Sequence, residues 1–233
     1  MNIALYSGVS LNVADLLLLI AMLILPLIAQ IAVNSTFSKY SRVHSSRGIT
    51  ADQAARRILD LNGLYDVKIE HISGKLSDHY DPGDNVIRLS DSVYGQTPVA
   101  AIGVAAHECG HACQHAEEYK PIVIRSRIVP VVNICSSLWF YVFLAGCLFT
   151  FLPFLTYLGI AMFCAVIFFQ LVTLPTELNA SHRAMKTLEG DCILEQSELR
   201  PARKVLTAAA MTYVVALVTS VMQLVRLLLR SRR

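Results

Sequence analysis

The chain has 233 residues, of which 55% are hydrophobic and only 16% charged, with a net charge of +3. A soluble domain carries about 25% charged residues, and here long stretches carry none, which points to a membrane protein. The basic residues cluster at the edges of apolar runs and form no basic stripe with interleaved aromatics, which argues against a nucleic-acid partner.

The first apolar run, residues 13–33, is long enough to cross a bilayer, which takes about 20 residues. No Lys or Arg precedes it, whereas Lys39, Arg42 and Arg47 follow. A cleaved signal peptide has the opposite charge order and a small-residue cleavage site. The expectation is a retained transmembrane helix with its N-terminus outside.

Residues 34–126 form the main polar segment. Thr50 is a candidate N-cap with Gln53 three residues on, and Gly63 is a stop, so residues 50–63 read as a helix. Val67 to Ile72 alternates as a strand, and Val86 to Ser90 is a second short strand. Asp81-Pro82-Gly83-Asp84 between them is turn chemistry, so a hairpin-like pair is expected. Thr97-Pro98 then opens a helix over residues 98–118, with Pro98 at its first position.

Two further apolar runs, residues 128–149 and 154–174, are separated only by residues 150–153 and predict a transmembrane hairpin. A polar segment, residues 175–204, precedes a fourth apolar run, residues 205–225, and a basic tail. Four spans put residues 34–126 and 175–204 on one side of the membrane. Lys39, Arg42, Arg125, Arg127, Arg183, Lys186, Arg203 and Lys204 flank the spans there, which makes that side cytoplasmic by the positive-inside rule. The tail, with Arg226, Arg230, Arg232 and Arg233, counts the other way. Two arrangements stay open: four full spans, or a last run that is re-entrant or interfacial. Three of the six cysteines (Cys135, Cys147, Cys164) fall in apolar runs and no CxxC pair exists, so neither a disulfide framework nor a four-cysteine zinc site is expected.

The chemistry is concentrated in His107-Glu108-Cys109-Gly110-His111. Two histidines four apart share one helix face, so both imidazoles can reach one ion. Catalytic zinc takes three protein ligands plus water and lowers that water's pKa towards neutrality. Glu108, beside the first ligand, can take the water's proton and pass it to the leaving amine. The preceding stretch, Val99 to Ala106, is apolar and small, and polar groups on such a buried helix are costly unless paired or bound to metal.

The third ligand must come from elsewhere, because His115, on the same helix face, cannot converge with the other two on one ion. Gln114 and Glu117 exclude the metzincin pattern. Glu177, just after Pro175 and on the same membrane side as the histidines, completes a set of two histidines and one glutamate. His182 is the alternative ligand. His79 or Tyr80, in Asp78-His79-Tyr80-Asp81, is a candidate for stabilising the oxyanion of a tetrahedral intermediate or contacting substrate, with Arg183 and Tyr94 as weaker ones. Cys109 and Cys113, four apart on the same helix, read as core packing. The strand Val86 to Ser90 is a candidate edge for pairing with an extended substrate.

The runs from Leu76 to Pro82, Arg88 to Ser90, Val93-Tyr94, Gly103 to Ala112 with Gln114, and Leu174-Pro175-Thr176-Glu177 together resemble the YugP-type membrane zinc metallopeptidases. The resemblance covers most of the chain, with separated motifs matching in order. More distantly the layout is similar to HtpX-like and CAAX-prenyl-protease zinc enzymes, which also set a transmembrane hairpin between two His ligands and a Glu in an ExxAD-like motif. Here that motif runs from Glu177 to Ser181. Ser181 stands where the ExxAD-like motif has Asp, and Asn179 where YugP-type chains are expected to have Asp.

The resemblance implies an α-helical membrane protein of about four transmembrane helices with a small α+β, zincin-like catalytic domain. It also implies one Zn2+ per chain and a gluzincin-like endopeptidase acting on a peptide or membrane-protein substrate in or near the bilayer. The plasma membrane, with the site facing the cytoplasm, is the expected location. The alternative is a catalytically inactive zinc-binding scaffold or assembly factor; an intact Glu108 argues against it, since metal binding alone does not need that residue. A metal transporter is disfavoured, because the four runs hold almost no ionisable residues.

Overall fold

The structure is a computed structural model that describes residues 3–5, 9–11, 13–149 and 151–231. A two-stranded antiparallel ribbon, β1 (Ile3–Leu5) and β2 (Val9–Leu11), precedes α1 (Val13–Tyr40). Then come α2 (Ala51–Leu61), β3 (Lys68–Ile72), β4 (His79–Asp81), β5 (Val86–Ser90) and α3 (Val99–Ala116). Three long helices complete the chain: α4 (Lys120–Leu148), α5 (Phe154–Gly190) and α6 (Gln196–Ser231).

Among the described residues, α1, α4, α5 and α6 contain the four segments long and apolar enough to cross a membrane. A helix satisfies its own backbone hydrogen bonds, which is why lipid-exposed spans take this form. The protein is an α-helical membrane protein with a small α+β part. It forms two compact units: Met1–Gln30, Arg125–Val172 and Thr212–Arg233 make one, and Ile31–Ile124 with Thr173–Met211 make the other.

In the first unit α4 and α5 pack closely at Gly159. A Cβ there would lie 2.6 Å from the backbone nitrogen of Phe143, so glycine permits this approach, as at many helix contacts in lipid. Trp139 of α4 packs on Phe163 of α5, ring centroids 4.4 Å apart.

In the second unit α2 is amphipathic, burying Ala51, Ala54, Ala55, Ile58 and Leu59. Gln53 Oε1 accepts the Thr50 N–H at 3.2 Å, tying down the helix start. The core joins these side chains to Ile87 and Leu89 of β5, Ile102 of α3, and Leu188 and Ile193. α3 is buried nearly all round. Its first half, a run of Ala, Gly, Val and Ile, has no polar face, and Glu108, His111 and Gln114 of its second half are buried as well. Its first residue is Val99, with Pro98 at the N-cap rather than the first helical position.

The sheet order is β3-β5-β4, with β3 parallel and β4 antiparallel to β5. The hairpin expected between residues 67–72 and 86–90 is therefore a hairpin between β4 and β5. The turn explains this. Asp81 Oδ1 accepts the Gly83 N–H at 2.9 Å, and Arg88 pairs with Asp81 at 2.7 Å and with Asp84 at 2.5 Å. These bonds fold residues 82–85 back on the short strand just before them. β5 is consequently the central strand, so the free edges belong to β3 and β4, not to residues 86–90.

α5 also departs from expectation. It runs unbroken through Pro175, so that proline lies inside a helix rather than starting one. Such prolines are tolerated in membrane helices, where neighbours re-satisfy the freed backbone carbonyl.

Candidate metal centre

α3 and the second half of α5 build the centre. His107 and His111, one turn apart on α3, present rings whose centroids are 4.7 Å apart at 82°. α5 brings Glu177, 2% exposed, in front of them. Glu177 Oε2 lies 3.2 Å from His107 Nε2 and 3.4 Å from His111 Nε2. Gly110 makes the approach possible: a Cβ there would meet the Ala180 carbonyl oxygen at 2.7 Å.

Ligand atoms of His107, His111 and Glu177 all lie within 4.8 Å of one another. Tetrahedral zinc with bonds of roughly 2.0–2.2 Å needs ligand atoms about 3.3–3.6 Å apart, so the nitrogen–oxygen separations of 3.2 and 3.4 Å are close to what a zinc ion needs. His182 is exposed and stands outside this group; it lines a groove with Asn179, Arg183 and Lys186.

Each histidine turns its other nitrogen to a fixed partner. His107 Nδ1 lies 3.1 Å from Ser181 Oγ, and His111 Nδ1 lies 3.0 Å from Gln114 Oε1. Partners of this kind orient a metal-binding imidazole and select its tautomer. Ser181 supplies such a partner for His107. In the sequence Gln114 marks a departure from the metzincin pattern and belongs to the run that carries the family resemblance, with no role assigned to it at the site. Its signal was a fully polar side chain three residues from His111, on the same face of a helix of small residues.

Glu108 is 7% exposed, and its Oε2 accepts the backbone N–H of Tyr80 at 3.0 Å. The outer edge of β4 therefore faces α3. The Tyr80 hydroxyl donates to Asn85 Oδ1 at 3.1 Å, and burial pushes that phenol up from its ordinary range. His79 is exposed, its Nδ1 2.9 Å from the Ser77 carbonyl. Arg183 makes a two-pronged pair with Glu117, both contacts 2.7 Å, and its Nε donates to Asn179 Oδ1 at 2.8 Å. Arg183 in turn holds the Glu117 carboxyl below its usual range. Tyr94 stacks at a tilt on His71, centroids 5.2 Å apart. Cys109 is fully buried, and burial pushes its thiol well up, as a packing residue requires.

Comparison with known proteins gives two matches. Residues 15–232 match the family described as "Putative neutral zinc metallopeptidase". A "Putative membrane protease YugP" of Bacillus subtilis (strain 168) is 49% identical over 209 residues, covering 90% of this chain and 92% of that protein. No solved structure matches the chain.

Proposed function

The chain belongs to this neutral zinc metallopeptidase family, and on that premise we propose that it is an endopeptidase cleaving membrane or membrane-proximal proteins. The carrying observation is the approach of Glu177 Oε2 to both imidazoles, at 3.2 and 3.4 Å.

His107, His111 and Glu177 would hold the zinc. When bound, zinc supplies a Lewis acid and a water whose pKa falls to about 7. Glu108 adjoins the first ligand and sits in a nearly closed site. Its carboxylate takes the proton of the attacking water and returns it to the leaving amine. The Tyr80 N–H keeps that carboxylate from swinging away. An extended substrate lies along the outer edge of β4, which turns towards the same helix, and pairs with backbone groups there other than the Tyr80 N–H, which Glu108 holds.

The active side faces the cytoplasm of the cell membrane. Support comes from the basic residues beside the spans. α6, a single helix with an apolar stretch that can cross the membrane, favours a full fourth span over a re-entrant one.

The test is metal content and peptide cleavage of purified wild type, Glu108→Gln, His111→Ala and Glu177→Ala. Glu108→Gln is expected to keep zinc and lose cleavage, while His111→Ala and Glu177→Ala lose both. Unchanged cleavage in Glu108→Gln would refute the mechanism. Unchanged zinc in Glu177→Ala would move the third ligand elsewhere.

A further inference from the structure

Gln114 is fully buried, and a buried amide is costly unless its donors and acceptor are all used. Here they are. Its nitrogen lies 2.8 Å from the Thr176 carbonyl and 2.9 Å from Asn179 Oδ1, and its oxygen lies 3.0 Å from His111 Nδ1.

The direction of every bond in this chain follows from partner chemistry. Arg183 carries only donors, so the Asn179 atom 2.8 Å from its Nε is the amide oxygen. A backbone carbonyl only accepts, so the Gln114 atom facing Thr176 is the amide nitrogen. That nitrogen gives one hydrogen to Thr176 and the other to Asn179. The Gln114 oxygen is then the atom left for His111, and Nδ1 of His111 must be the donor. An imidazole protonated at Nδ1 keeps the lone pair of Nε2 free, and Nε2 is the atom 3.4 Å from Glu177.

We infer that Gln114 is a positioning residue which fixes the tautomer of His111 for metal binding. Its direction is set by the Thr176 carbonyl together with Asn179, whose oxygen is itself held by Arg183. The same amide bonds the residue just before Glu177, so one side chain ties the helix of the two histidines to the helix of the third ligand. Asn179 is required only as an acceptor, and Asp serves equally at that position. The inference rests on His111 being a zinc ligand.

The experiment measures zinc affinity of the folded, metal-stripped full chain by competition with a chromogenic chelator. It is paired with 15N spectra of histidine-labelled, zinc-loaded protein. Gln114→Leu is expected to bind zinc about 10–100-fold more weakly and to lose the protected Nδ1–H signal of His111. Asn179→Leu is expected to weaken binding in the same direction, and Asn179→Asp to restore wild-type affinity. A purely structural amide would lower the unfolding temperature of Gln114→Leu and leave both readouts unchanged; that result overturns the inference. Should Gln114→Leu fail to fold, the Asn179 pair decides: equal affinities for Leu and Asp overturn it. A proton on Nε2 of His111 in the wild type overturns it too. His111→Ala is the control. If it binds zinc as tightly as wild type, the metal-site reading falls as well; if it alone loses zinc, only the role of Gln114 is refuted.

Discussion

Gly110 offers the sharpest test of how the metal centre is assembled. In Gly110→Ala the added methyl carbon would lie 2.7 Å from the Ala180 carbonyl oxygen, 3.1 Å from its Cα and 3.2 Å from its carbonyl carbon. All three atoms are backbone, so no rotamer change relieves them. Ordinary contact begins at 3.4 Å, and α5 must therefore retreat from α3 by about 0.7 Å at this point. Glu177 sits less than one turn from Ala180 on the same helix and moves with it. Zinc–ligand distances tolerate only about 0.2 Å. Helix propensity works the other way, since Ala is better than Gly by about 1 kcal/mol inside a helix. Overpacking costs about 1–3 kcal/mol. The two terms leave the folded state only slightly weakened, while the misplaced carboxylate bears on zinc affinity directly. The expected outcome is a folded, helical protein whose zinc affinity and peptide cleavage both fall by at least tenfold. Circular dichroism checks the fold and chelator competition checks the metal. Wild-type zinc affinity in folded Gly110→Ala would refute the claim that this contact sets the position of Glu177.

Two further outcomes are expected. Ser181→Ala removes the partner of His107 Nδ1 and should weaken zinc binding about 10–100-fold, with Ser181→Asp recovering it; chelator competition on the metal-stripped protein checks both. Asp78, whose carboxyl accepts the Ser90 N–H at 2.7 Å and faces the Ser90 hydroxyl at 3.0 Å, is pushed above its ordinary range by burial. A raised folded-state value means the charged form is disfavoured on folding. The resulting penalty is present at neutral pH and disappears as pH falls through that value. Asp78→Asn, which keeps both bonds, should be at least as stable as wild type at neutral pH, and wild type should close the gap on acidification. Asp78→Leu leaves the buried Ser90 N–H unpaired and should cost about 1–3 kcal/mol. Unfolding curves across pH check the set, and a pH-independent gap between wild type and Asp78→Asn would refute the reasoning.

The long helices and the group able to hold a metal are legible in the sequence because each rests on a local rule. Twenty or so apolar residues announce a span, and histidines four apart announce a shared helix face. The sheet is less legible because strand pairing is not local. β4 has only three residues, too few for an alternation to show, so the turn at residues 81–84 is naturally assigned to the longer strand before it. β5 hides its place for a related reason. Its residues are buried on both faces, and such a run is read as a strand or a buried helix segment alike, with nothing in it to say which strands lie at its edges. Pro175 misleads because the rule that proline starts helices was learned in water. In a membrane helix neighbouring groups can re-satisfy the carbonyl that proline frees, and the helix continues.

The same division runs through the metal centre. A buried polar residue can be suspected from sequence wherever it interrupts small apolar neighbours, as His107, His111 and Gln114 do on α3. Its partner cannot be found that way. Ser181 lies 74 residues from His107 and Asn179 lies 65 from Gln114, and only the packing of α5 on α3 through Gly110 makes them neighbours. Ser181, standing where the ExxAD-like pattern leads one to expect Asp, reads as a loss when seen alone along the chain, because no carboxylate is there. Beside His107 it is sufficient, since what the imidazole Nδ1–H needs is an acceptor within about 3 Å, and the Ser181 hydroxyl oxygen lies 3.1 Å away.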